Sequence, residues 1–126
     1  MSLNVEIKKQ KKDTYVVALS GRLDSDTYID FGEKLKTLLN PSTKTLIFDM
    51  IGLEYISSIG LGVIFKARST IESAGGKIHM VGLQPQIKKI FEVVKALPKE
   101  PVFDSMKEVD EYLDRVQKQE LEKQEG

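Results

Sequence analysis

The sequence contains no cysteine, so it holds no disulfide framework, no thiolate nucleophile and no cysteine-based metal site. A single histidine, His79, excludes a histidine-rich metal centre. Excess charge of either sign is also missing, because 19 basic and 19 acidic residues cancel to a formal charge of zero. Nucleic-acid readers and polybasic membrane binders normally carry a strong positive excess, and neither class fits. No apolar run approaches the roughly 18 residues of a membrane-spanning helix, and no signal-peptide pattern is seen. The chain is therefore expected to be cytoplasmic, without direct membrane insertion. A G-x-S-x-G elbow and a G-x-x-x-x-G-K-[ST] phosphate loop are both absent. With the lone histidine in mid-strand, a Ser-His-Asp triad has no base. Two isolated carboxylates, Asp24 and Asp49, do not make a metal site. The expectation is a non-enzyme with no metal and no cofactor of its own.

What is present suits one globular domain: 126 residues, 40% hydrophobic and 30% charged. A single domain is expected over residues 1–126, with its core over about 4–116 and a frayed tail at 117–126. Leu3 to Ile7 alternates, KKQKKD follows as a polar turn, and Tyr15 to Leu19 is β-branched and apolar, which predicts an N-terminal hairpin. Ser20 to Thr27 reads as a loop. Tyr28, Phe31, Leu35, Leu38 and Leu39 then form a helical stripe that Asn40-Pro41 stops.

Thr45 to Phe48 is a short apolar strand ending at Asp49, with a loop running on to the serines at 57 and 58. A helix is expected from Ser58 to Ser73, closed by Gly75-Gly76, and a strand over Lys77 to Val81. Pro85 opens another helix with Ile87, Ile90, Phe91 and Val94 inward, closed by Leu97-Pro98. Pro101 to Phe103 reads as a short edge strand. Ser105 and Glu108 form a capping box for a last helix carrying Val109, Tyr112, Leu113 and Val116. Strands alternating with amphipathic helices predict an α/β fold, a mixed and largely parallel sheet built from βα units. The loops past the strand C-termini converge on one edge, where sites form. That edge holds Asp24, the segment from Gly52 to Ser58, and Gly82-Leu83-Gln84.

The chemistry left over is a serine pair at a helix start. A serine there serves as an N-cap, its oxygen taking a bond from a free backbone N–H. The same place suits a phosphate, since free N–H groups and the helix dipole favour negative charge. Residues alone leave both readings open. Asp24 and Asp26 likewise have two: helix capping, or Asp24 lining a site shared with Ser58.

The segment LIFDMIGLEYISSIGLGVIFKA, Leu46 to Ala67, resembles the signature of STAS domains of the anti-sigma-factor antagonist type. The likeness extends upstream to G-x-L-D at Gly21 to Asp24 and downstream through GGKIHMVGLQPQIKKIFEVV. It implies a STAS-type fold and a bacterial signalling protein that regulates sigma-factor-dependent transcription. An antagonist of this type binds an anti-sigma serine kinase when unphosphorylated and is released when the kinase, which binds the ATP, phosphorylates it. A serine phosphatase resets the switch. The resemblance places the phospho-acceptor on Ser58, with Ser57 as the alternative, and partner contacts on Asp24, Ser57, Ile59, Gly60, Leu61 and Gly62. Ser57 stands where the family usually has aspartate, and Ile59 where it has a small residue. These departures favour an alternative: a STAS adaptor subunit of a transport or stress-signalling complex, working without a phosphate. Either protein would be a monomer or a weak dimer.

Overall fold

The computed structural model describes residues 2–96 and 103–125. The elements run β1 (Leu3–Lys11), β2 (Thr14–Leu23), α1 (Tyr28–Lys36), β3 (Thr45–Ile56), α2 (Ser58–Ser73), β4 (Lys77–Val81), α3 (Pro85–Ala96) and α4 (Met106–Glu125). The sheet has four strands in the order β1-β2-β3-β4. The β1–β2 pair is antiparallel, and the β2–β3 and β3–β4 pairs are parallel. Both parallel connections advance across the sheet in the same direction. Right-handed crossovers therefore place α1 and α2 on the same face.

That face is the core. Val17 and Leu19 of β2, and Leu46, Phe48, Met50, Leu53 and Ile56 of β3, are buried against Phe31, Leu35, Ile64, Ile71, Ile87, Ile90 and Leu113 from the helices. Phe31 meets Phe48 edge-on at 6.2 Å between ring centroids, a favoured aromatic geometry.

Three segments of the sheet depart from the sequence-based expectation. The strands of the hairpin run to Lys11 and back from Thr14, so the six-residue polar turn shrinks to Lys12 and Asp13, with Asp13 at φ 67°. Second, β2 continues through the expected loop to Leu23. Gly21 makes this possible at φ 107°, where an added Cβ would lie 2.2 Å from the Ser2 carbonyl oxygen. Third, β3 does not stop at Asp49 but continues to Ile56. Its buried residues fall at 46, 48, 50, 53 and 56, which breaks the alternation of a plain strand. The ladder explains this: Ala18 and Ser20 of β2 face Asp49 and Gly52, and Gly21 and Arg22 face Leu53 and Tyr55. Each shift puts one extra residue into β3, two bulges that return an apolar side chain to the core.

The segment from Gln117 onward, expected as a frayed tail, is helical to Glu125, and Gln117 is itself 2% exposed. Half of the expected α4 capping box forms: the Glu108 N–H donates to Ser105 Oγ at 3.2 Å, while the Glu108 carboxylate accepts from the N–H of Asp104, one residue before the cap, at 2.7 Å. The expected Leu97-Pro98 stop and most of the Pro101 to Phe103 strand lie outside the described residues. Phe103 itself lies in a bend, its ring 5.5 Å from that of Tyr112.

Candidate functional site

The site is built where β2 and β3 end side by side. Leu23 pairs with Ile56, and the Ser57 N–H donates to the Leu23 carbonyl at 2.9 Å. The chain then turns into α2, and the two serines part company. Ser57 is the N-cap, with extended backbone at φ −97° and ψ 173°, and its Oγ accepts from the Gly60 N–H at 3.3 Å. It is 6% exposed. Ser58 is the first helical residue, and its N–H donates to Asp110 Oδ1 on α4 at 2.9 Å. The Ser58 hydroxyl oxygen is buried and has no hydrogen-bond partner among the described residues.

The glycines divide in the same way. A Cβ on Gly60 would lie 2.7 Å from Leu23 Cγ and 2.8 Å from the Leu23 carbonyl oxygen, so Gly60 lets α2 start hard against the end of β2. A Cβ on Gly62 would meet nothing within 4 Å. Gly60 and Leu61 are buried, whereas Ile59 is 37% exposed and Gly62 faces outward. Of the residues expected to touch a partner, Ile59 and Gly62 thus form the open surface, and Ser57, Gly60 and Leu61 form its support.

Asp24 follows directly on β2. Its carboxylate accepts from the Asp26 N–H at 3.0 Å and pairs with Arg22 at 3.4 Å. It does not cap α1: Thr27 is the N-cap, without a side-chain capping bond. Thr27 Oγ1 instead donates to the Arg22 carbonyl at 2.8 Å and accepts from the Asp24 N–H at 3.0 Å. Asp24 and Ser58 lie on adjacent strand ends, but no hydrogen bond joins them among the described residues. A relay connects the Asp24 side to α4 by another route. The Arg22 guanidinium sits over the Tyr55 ring at 3.9 Å from the centroid, a cation–π contact, and the Tyr55 hydroxyl donates to the Asp114 carboxylate.

Sequence reasoning placed Gln84 at this edge but missed Gln86, Gln117 and the bonds all three make there. β4 pairs with β3 only as far as Asp49, so the rest of β3 has no strand neighbour on that side. Backbone polar groups left without a strand neighbour need other partners, and three glutamines supply them. Gln84 donates to the Ile51 carbonyl at 2.8 Å and Gln86 to the Glu54 carbonyl at 2.9 Å. Gln117 closes a two-way bond with Ile56, accepting from its N–H at 3.0 Å and donating to its carbonyl at 2.9 Å. With Asp110 and Asp114 it forms one polar seam along α4 at i, i+4 and i+7 spacing. The i+4 and i+7 intervals are visible in the sequence, but the partners lie 52 to 61 residues away.

This arrangement buries the Ser58 hydroxyl and commits the Ser57 hydroxyl to the helix cap. The capping role of Ser57 is directly measurable: Ser57→Ala is expected to lower stability by about 1 kcal/mol, the usual worth of a serine N-cap. A shift of the urea midpoint with unchanged slope would report it, and an unshifted midpoint would count against the cap.

A mixed sheet covered by helices on one face, with a serine at the start of α2, defines the class of fold. The chain belongs to the STAS domain family, whose model matches residues 5–109. It is similar to the Anti-sigma-B factor antagonist of Staphylococcus aureus (strain NCTC 8325 / PS 47), at 26% identity over 93 residues, covering 74% of this chain and 85% of the relative. Among solved structures, it resembles the anti-sigma factor antagonist SpoIIAA in its unphosphorylated form, with a TM-score of 0.62, 23% identity, and coverage of 90% of this chain and 97% of that one. The phosphorylated form of the Bacillus cell fate determinant SpoIIAA superposes with a TM-score of 0.60 at 20% identity, covering 72% of this chain and 83% of that one. At these identities the structures show a shared fold. No helix among the described residues is long and apolar enough to cross a membrane.

Proposed function

We propose that this protein is an anti-sigma-factor antagonist, a non-enzymatic regulator that binds an anti-sigma serine kinase and is released by phosphorylation at Ser58. The observation that carries the choice of residue is the division of labour between the serines. Ser57 Oγ is spent on capping α2, while Ser58 Oγ makes no structural bond among the described residues. The names of the curated relatives and the likeness to a fold solved in both phosphorylation states support the reading.

In the reaction the Ser58 oxygen attacks the γ-phosphorus of ATP held by the kinase. The bond from that phosphorus to the β–γ bridging oxygen breaks, ADP leaves, and the hydroxyl proton passes to a base on the kinase. The product carries about −1.5 to −2 charges at neutral pH. At the start of α2 the helix dipole tolerates that charge, so the sheet and α2 persist while a close-packed or acidic partner surface is repelled. A serine phosphatase would restore the hydroxyl, and the protein would act in the cytoplasm on sigma-factor-dependent transcription.

Incubating wild type, Ser58→Ala and Ser57→Ala with the cognate kinase and ATP, then measuring intact mass, tests the assignment. One added phosphate on wild type and Ser57→Ala, and none on Ser58→Ala, is the expected result. An unmodified wild type with an active kinase would sink it. The buried Ser58 hydroxyl, with Ser57 in place of aspartate, favours a second reading, a STAS adaptor that is never phosphorylated. It predicts that unmodified result.

A further inference from the structure

The proposed acceptor is covered by its own chain. Ser58 Oγ is buried, and its amide is taken up by Asp110 of α4. Phosphoryl transfer needs the attacking oxygen within roughly 3–3.5 Å of phosphorus and in line with the departing ADP, which a buried oxygen does not offer. Asp110 also places a carboxylate at the positive end of α2, where a phosphate would otherwise be favoured.

The means of uncovering is present in α4. Along the helix, Asp110, Asp114 and Gln117 bond respectively to the Ser58 amide, the Tyr55 hydroxyl and both backbone groups of Ile56. Leu113 is the one α4 side chain among the described residues that belongs to the fully buried core, with Val109, Tyr112 and Val116 packed partly against it. The sheet and the other helices supply the remaining buried core. A terminal helix held by one fully buried side chain, three partly buried ones and a polar seam can detach at a free energy below that of global unfolding.

We propose that α4 is a releasable cap over Ser58. Docked, it keeps the ATP of a bound kinase from the Ser58 hydroxyl; released, it exposes the hydroxyl and the start of α2. Once phosphate is on Ser58, repulsion from Asp110 keeps α4 from returning, so modification and cap release reinforce each other. The inference rests on Ser58 being the acceptor and adds how access to it is controlled.

Two full-length variants test it. Asp110→Ala removes the bond at Ser58 itself. Gln117→Ala loosens α4 at a point that touches neither serine, so any effect on phosphorylation reports release of the helix and not altered recognition by the kinase. Backbone hydrogen exchange gives a readout independent of any kinase. Exchange at Ile56, Ser58 and the α4 amides should rise about tenfold in Asp110→Ala, the equilibrium worth of one lost charge-assisted hydrogen bond, and by more in Gln117→Ala, which loses both bonds to Ile56, while Val17 and Phe48 stay unchanged. Phosphorylation by the cognate kinase should accelerate by the matching factor in each.

Uniform exchange changes across the sheet, or none at α4, would overturn the cap. Faster exchange at α4 with unchanged phosphorylation rates would overturn its role as a gate while leaving Ser58 as the acceptor. Selective opening with no phosphate on any of the three proteins would overturn the phospho-switch and the gate with it. Should Gln117→Ala not fold, Asp110→Ala carries both readouts.

Discussion

Gly60→Ala is expected to destabilise the protein by about 2–3 kcal/mol, and Gly62→Ala, two residues on, to stabilise it by about 0.5–1 kcal/mol. The two glycines share one helix and one short motif, so helix propensity predicts the same gain at both. The difference is what a methyl group would meet. At Gly60 it would press on Leu23 Cγ at 2.7 Å and on the Leu23 carbonyl oxygen at 2.8 Å. The Leu23 side chain is fully buried in the core, and its carbonyl is backbone and already accepts the Ser57 N–H. Relief therefore requires α2 to move away from β2, which strains the cap bond from Gly60 to Ser57 as well. At Gly62 there is open space within 4 Å, and only the entropic gain remains. Urea unfolding of the two variants beside wild type provides the measurement. Midpoints that shift in the same direction would refute the close approach at Gly60.

The contrast marks where the sequence was legible. A hairpin, alternating βα units and the α2 boundaries follow from period, caps and breakers, each a local property. The start of α2 at Ser58 is such a case, since a serine pair precedes an apolar helical stripe and Gly75-Gly76 closes it. The far half of β3 was not legible, because two bulges destroy its alternation and place Gly52 and Glu54 where a loop is expected. The same holds for the glutamines. Gln84, Gln86 and Gln117 are polar residues near helix starts or on a charged helix, and nothing local distinguishes a solvated glutamine from one that completes a strand edge. Asp110 belongs with them: its bond to Ser58 spans 52 residues. Ser58 could be singled out from the sequence, but the helix that covers it could not.

The second large effect belongs to Gln117. Gln117→Leu preserves most of the side-chain volume and suits an apolar setting, yet it is expected to lower stability by about 2–4 kcal/mol, because the Ile56 N–H and C=O would each lose a buried partner. Both groups face α4 at a position without a β4 neighbour, so the rest of the sheet offers no substitute. The loss has a ceiling. If the penalty exceeds what holds α4 in place, the helix leaves and water takes over both groups, so the measured cost cannot exceed the docking free energy of α4. A combined Asp110→Ala and Gln117→Leu protein distinguishes the two regimes. Additive losses mean that α4 stays docked in each single variant, since the two bonds do not share a partner. A double variant no less stable than Gln117→Leu alone means that the helix is already off and the ceiling has been reached. In that case fluorescence-free probes of the seam, such as exchange at the Ser58 amide, should be indistinguishable between Gln117→Leu and the double variant. Sub-additivity of that kind would give the free energy that phosphate on Ser58 has to overcome to hold the cap open.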